Sequence, residues 1–124
     1  MIIGIGTDII NVDRVEQKIS KNQGFLEWVF ATNEIEYCKT KTYPFQHFAA
    51  RFAAKEAFFK ALGTGWTQQT FFNEVSIVND EKGKPSIELL GTTAETLSWL
   101  KHKKIHLSIS HEKDYAQAFV VIEE

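Results

Sequence analysis

The chain has 124 residues, 44% of them hydrophobic and 24% charged, with a formal net charge of −2. That is enough chain for one domain to bury a core without disulfides or structural metal, and the even charge balance excludes a general pull toward nucleic acid or a membrane surface. Cys38 is alone, no Cys/His set has zinc spacing, and no apolar run nears the roughly 18 residues of a membrane span, so a soluble protein of a reducing, cytoplasmic compartment is expected.

Ile2-Ile3-Gly4-Ile5-Gly6 reads as a short buried strand with Thr7 and Asp8 at its end. Asp8 is open to two readings, a helix N-cap or turn former and a carboxylate held beside a buried helix. Gly-Ile-Gly lacks the third glycine and the βαβ setting of a dinucleotide fingerprint. A helix follows from about Asn11 to Ser20, with Val12, Val15 and Ile19 as its apolar stripe. Arg14, Lys18 and Lys21 share the opposed face, which is either a solvated face or a landing surface for an acidic partner. Phe25 to Phe30 is a short helical piece, and Asn33 caps a further turn with Glu36 in capping-box position.

Pro44 suits a helix start, and the helix it opens runs to Leu62. Its core is Arg51-Phe-Ala-Ala-Lys55-Glu56-Ala-Phe-Phe-Lys60-Ala-Leu, alanine-rich and free of breakers before Gly63. A helix apolar nearly all round is a buried one, yet this one carries Arg51, Lys55, Glu56 and Lys60. Buried charges need partners. They either form an internal ladder, Glu56 to Lys60 at i,i+4, or line a site whose partner lies outside the chain, phosphate for the cations and metal for Glu56. Gly63-Thr64-Gly65 is either a glycine C-cap or a nest of N–H groups for an anion. The negative end of the helix dipole opposes phosphate there, a cost that Lys60 would have to offset.

Phe71 to Val78 and Pro85 to Leu90 make a hairpin around Asn79–Lys84. Gly91-Thr92-Thr93 opens another helix, with Thr92 and Glu95 as a capping box. Ile105 to Ser110 and Tyr115 to Ile122 are strands joined by the His111–Asp114 turn. Early helices and late paired strands give an α+β fold, a mostly antiparallel sheet wrapped around the central buried helix, as one domain over 1–124.

Gly4-Ile-Gly-Thr-Asp8-Ile with Arg14, the run from Arg51 to Gly65, Gly83-Lys-Pro, and Ser108-Ile-Ser110-His111 with Tyr115-Ala resemble the holo-acyl-carrier-protein synthases, the small class of 4′-phosphopantetheinyl transferases. The resemblance runs from near Met1 to near Glu124. It implies transfer of phosphopantetheine from coenzyme A, the co-substrate, to a serine of an acyl carrier protein for fatty acid biosynthesis. It further implies release of 3′,5′-ADP, a need for Mg2+, and a homotrimer with active sites between subunits. By the same resemblance Asp8 and Glu56 are the metal carboxylates. Lys60 faces the phosphates, and Arg51, Gly63, Thr64 and Gly65 surround them. Ser110 and His111 approach coenzyme A from a neighbouring subunit, and Arg14, with Lys18 and Lys21 behind it, docks the carrier.

The residues suit that chemistry on their own terms. Transfer from a pyrophosphate to a hydroxyl builds charge on phosphate oxygens. Mg2+ prefers hard oxygens and takes one or two carboxylates plus phosphates. The serine nucleophile belongs to the partner, so no Ser-His-Asp set is needed, and the base is Glu56 or a water that it orients. Two other readings compete: a non-catalytic coenzyme A- or nucleotide-binding module, for which cations alone would suffice, and an adaptor for acidic proteins or RNA using the basic helix. The absence of an RNP-type aromatic motif argues against RNA.

Overall fold

The computed structural model describes every residue except Trp66 and Gln68. In chain order it holds β1 (Ile2–Asn11), α1 (Val12–Lys21), α2 (Phe25–Val29), α3 (Thr32–Lys39), α4 (Pro44–Leu62), β2 (Val75–Asn79), β3 (Pro85–Leu89), α5 (Gly91–Thr96), β4 (Lys104–His111) and β5 (Tyr115–Glu123). A three-stranded antiparallel sheet has the order β1-β5-β4, and β2 and β3 form a separate antiparallel hairpin. This is the expected α+β arrangement, with the strands in two sheets.

Pro44 occupies the first turn of α4, and Gly63 ends the helix in the left-handed conformation (φ 81°) that glycine adopts without strain. Between them the helix is the core, with Ala49, Ala53, Ala54, Ala57 and Phe58 fully buried. It lies against β1 and β5, and also meets α1, α3 and β2. Alanines on the helix meet glycines on the strand. A Cβ on Gly4 would fall 2.0 Å from the Ala61 carbonyl oxygen, and one on Gly6 would fall 1.9 Å from that of Ala57. The two glycines are therefore what lets β1 touch α4, and any side chain at either position would force the strand away.

Five local expectations are corrected. β1 is twice the expected length, so Asp8 lies within the strand, paired with Ala118, instead of at its end. The strand is also buried on one face only: Gly4, Gly6, Asp8 and Ile10 face α4, whereas Ile5 and Ile9 are exposed. Asn33 does not cap α3; Ala31 occupies that position, its N–H donates to Glu34 Oε1 at 2.9 Å, and Asn33 bonds Ser76 instead. The first hairpin strand starts only at Val75, because Phe72–Glu74 form a 3-10 turn. Thr92 and Glu95 form no capping box either. The N-terminus of α5 is capped across the chain by Glu74, whose Oε1 accepts from the Thr93 N–H at 2.9 Å and the Thr93 hydroxyl at 2.8 Å.

Candidate active site

Residues 4, 6 and 8 of β1 share the face that meets α4, and the contact at Gly4 and Gly6 delivers Asp8 to the helix. Lys60 Nζ lies 2.9 Å from Asp8 Oδ1 and donates a second bond to the Thr7 carbonyl at 3.0 Å. Glu56 sits one helical turn before Lys60 and makes no hydrogen bond or ion pair among the described residues. The i,i+4 pair weighed above is thus replaced by a pair with Asp8. Burial, then the nearby Asp8 carboxylate, hold Glu56 above the usual carboxylate range, while Lys60 and Lys18 pull it down.

Two carboxylates that repel and one cation shared among them make an incomplete charge set. Among the described residues no group of three or more His, Cys, Asp or Glu could hold a metal alone. Two hard oxygen donors with open positions suit Mg2+, which keeps waters and takes its remaining ligands from phosphates. The unpartnered, half-buried Glu56 is the observation that fits it.

The other cations of α4 serve differently. Lys55 is fully buried; its ammonium meets Glu34 Oε1 at 2.7 Å and donates to the carbonyls of Phe72, at 2.7 Å, and Val75. Burial lowers it to about 8, with Glu34 opposing. Glu34 Oε2 also accepts from the Ile77 N–H at 2.9 Å. This is a closed internal pair, and it takes Lys55 out of the set of charges expected to line a site. Arg51 is buried too, its guanidinium 4.1 Å from the centre of the Tyr37 ring and bonded to Asn79, with Nε unpartnered. It touches none of Asp8, Glu56 and Lys60.

Gly63 and Gly65 both have positive φ, and Thr64 between them is exposed. The Gly63 N–H already bonds the Lys60 carbonyl at 3.0 Å, so it is not free for an anion. Ser110 pairs with Gln117 on the outer face of the larger sheet, the face opposite Asp8. His111 Nδ1 lies 3.1 Å from Gln46 Oε1, and its ring centre is 4.8 Å from that of His47. Within one chain, then, Ser110 and His111 do not join Asp8.

On α1, Arg14 and Lys21 are exposed. Lys18 was expected to belong to docking alone, yet its ammonium sits 5.8 Å from the centre of Phe52 and 5.9 Å from that of Phe25. Phe52 is one turn before Glu56, so this cation borders the site, which the helical wheel of α1 alone could not show. A cleft of about 130 Å³ between Asn11, Arg14, Lys18 and Phe52 opens there. A cleft of about 740 Å³ lies elsewhere, and its acids Asp13, Glu16 and Asp114 outnumber its one cation, Lys113, which makes it the wrong sign for phosphate.

The model of the 4′-phosphopantetheinyl transferase superfamily matches residues 4–120. A holo-[acyl-carrier-protein] synthase of Halothermothrix orenii is 45% identical over 125 residues, covering 100% of this chain and 99% of the relative. One of Vibrio cholerae is 42% identical, covering 99% and 98%. Among solved structures, the holo-[acyl-carrier-protein] synthase of Neisseria meningitidis superposes with a TM-score of 0.88 at 35% identity and covers 100% of both chains. That of Bacillus anthracis, in complex with CoA (3′,5′-ADP), gives 0.82 at 37%, covering 100% and 98%.

Proposed function

The chain belongs to the 4′-phosphopantetheinyl transferase superfamily, and from that membership we propose that it is an enzyme that moves 4′-phosphopantetheine from coenzyme A to a serine of an apo acyl carrier protein, releasing 3′,5′-ADP. The observation that carries this reading is the juxtaposition of Asp8, Lys60 and an unpartnered Glu56 at the β1–α4 contact. A module that merely bound coenzyme A would gain nothing from two carboxylates beside its phosphates.

Asp8 and Glu56 would hold Mg2+, which supplies charge neutralisation at the pyrophosphate and at the departing 3′,5′-ADP. Lys60, more than half exposed, is free to swing from Asp8 to a phosphate oxygen. Glu56, with no protein partner among the described residues, is placed to accept the serine proton directly or to orient the water that does. The serine oxygen then bonds to the pantetheine-bearing phosphorus as the bond to 3′,5′-ADP breaks. Gly63, Thr64 and Gly65 are proposed to bound the phosphate region.

The protein is further proposed to act in the cytoplasm as a homotrimer. Support for assembly comes from the outer sheet face, where Ile5, Ile9, Tyr115 and Phe119 are exposed together, Ile9 at 64%. Ser110 lies on that same face and His111 follows it, so both would then lie at or beside the contact between copies. Arg14 and Lys21, with Lys18 at the site edge, would receive an acidic carrier. No helix among the described residues is long and apolar enough to cross a membrane, and the Cys38 thiol is buried and pushed up to about 12 by burial, which disfavours the reactive thiolate.

The test is to incubate the protein with coenzyme A, Mg2+ and an apo acyl carrier protein and weigh the carrier. A mass gain of one phosphopantetheine is expected. No gain with a cognate carrier, or an equal gain in the presence of a chelator, overturns the reaction or its metal requirement respectively.

A further inference from the structure

β3 is a free edge of the hairpin and β4 a free edge of the larger sheet. The two approach each other without pairing, and α5 with the 3-10 turn Ser98–Leu100 lies beside the seam. An open cleft of about 570 Å³ follows it. Ile87 and Leu89 line it from β3, Ile105 from β4, and Leu97 and Leu100 from the segment between. The size and the apolar lining are those of a small-molecule site, which needs only a few placed polar groups.

Those groups are Lys101 and Lys103, which also line the cleft. They belong to the run Lys101-His102-Lys103-Lys104, which contains no acid, and neither takes part in an ion pair among the described residues. Glu95 is the only acid lining the cleft. Trp99, half exposed, stands next to the run. An apolar trough with a cationic lip is complementary to one aliphatic chain that ends in an anion. A neutral ligand would leave the lysines unmatched, and a free inorganic anion would leave the trough open to water.

We propose that this cleft binds a medium-chain fatty carboxylate, the chain along Ile87, Leu89, Leu97, Leu100 and Ile105 and the carboxylate at Lys101 and Lys103. It is a second site, sharing no residue with the Asp8–Glu56–Lys60 group.

The test is isothermal titration of the intact protein with decanoate below its micelle concentration, then with octanoate and hexanoate. Saturable binding is expected, weakening about fourfold for each methylene removed. Lys101→Glu/Lys103→Glu, and Ala94→Phe, which fills the trough, should each weaken it at least tenfold while circular dichroism and the phosphopantetheine transfer rate without fatty acid stay unchanged. If Ala94→Phe does not fold, the charge reversal carries the test. The proposal is overturned by no saturable binding, by equal affinity at all chain lengths, or by decanol binding as tightly as decanoate. It is also overturned if the protein sediments with phosphatidylglycerol vesicles through these lysines but ignores decanoate, which would make the patch a membrane contact. A change of oligomeric mass on charge reversal without decanoate binding would make it a contact between copies and would overturn the proposal equally.

Discussion

Lys55 and Lys60 lie five residues apart on α4, and each pairs with a carboxylate from a distant element. There the likeness ends. Lys55 and Glu34 are both fully buried, and the ammonium finds three acceptors while Glu34 also holds the Ala31 and Ile77 N–H groups. Every donor there is used, so nothing is left for a ligand. Lys60 is more than half exposed, its pair with Asp8 is open to water, and the adjoining Glu56 is unpartnered. A closed charge pair on this helix holds α3 and β2 to the core; an open one leaves groups free to meet a ligand. The difference comes from helix rotation: the face of Ala57 and Ala61 meets the glycines of β1, and Glu56 and Lys60 fall at the edge of that contact, while Lys55 points elsewhere.

The largest effect should come from breaking the closed pair. Lys55→Met leaves Glu34 buried and unpaired, at a cost of about 3–5 kcal/mol, which for a chain of this length lowers the melting temperature by roughly 10–20 °C. Adding Glu34→Gln should recover part of it, since the neutral amide keeps an acceptor for one of the two N–H groups. Calorimetric melting of the single and double variants checks this; a single variant that melts like wild type would show that the pair does not hold the fold. Next, Glu56→Gln should lower kcat roughly a hundredfold or more, the several kcal/mol a metal-held charge supplies. Its melting temperature should not fall, because the change removes a carboxylate beside Asp8. Turnover near normal would remove Glu56 from the metal site. Lys60→Ala is smaller again: about tenfold weaker coenzyme A binding by calorimetry, with stability within about 1 kcal/mol of wild type, as for an exposed pair. A large melting shift here, matching Lys55→Met, would erase the contrast between the two pairs.

The sequence made α4 legible because its signals are local: a proline start, a run without breakers, a glycine stop. The same holds for α1, whose Asn11 side chain caps it by accepting from the Arg14 N–H at 3.0 Å. What was not legible depends on partners far along the chain. Glu34 precedes Lys55 by 21 residues, and nothing in its own helix marks it as buried. Glu74 displaces Glu95 as the cap of α5 from 19 residues away. Of the proposed site, Asp8, Glu56 and Lys60 were singled out by motif, and the structure adds why Gly4 and Gly6 precede Asp8: they are the contact that brings it to the helix. Ser110 and His111 lie apart from these in a single chain.

The smallest effect concerns a third ionisable group on the same helix, and it asks whether closure can also be read in protonation. His47, in the second turn of α4, packs edge-on against His111 and Tyr37 at ring distances of 4.8 and 6.0 Å. Burial first, then His111, Arg51 and Lys41, lower it from 6.5 to about 4. The unfolded chain therefore takes up a proton near pH 6.5 that the native chain refuses until near pH 4. Stability from this group is present in full above about 6.5 and is lost as the pH falls through 4. His47→Gln removes that contribution, so between pH 7 and 4.5 its melting temperature should drop by less than that of wild type, by a few degrees at most. Carboxylates titrating in the same range act on both proteins and cancel in the difference. Parallel curves for His47→Gln and wild type would mean that the ring is as open to solvent as Lys60, and closure on α4 would then be confined to the Lys55–Glu34 pair.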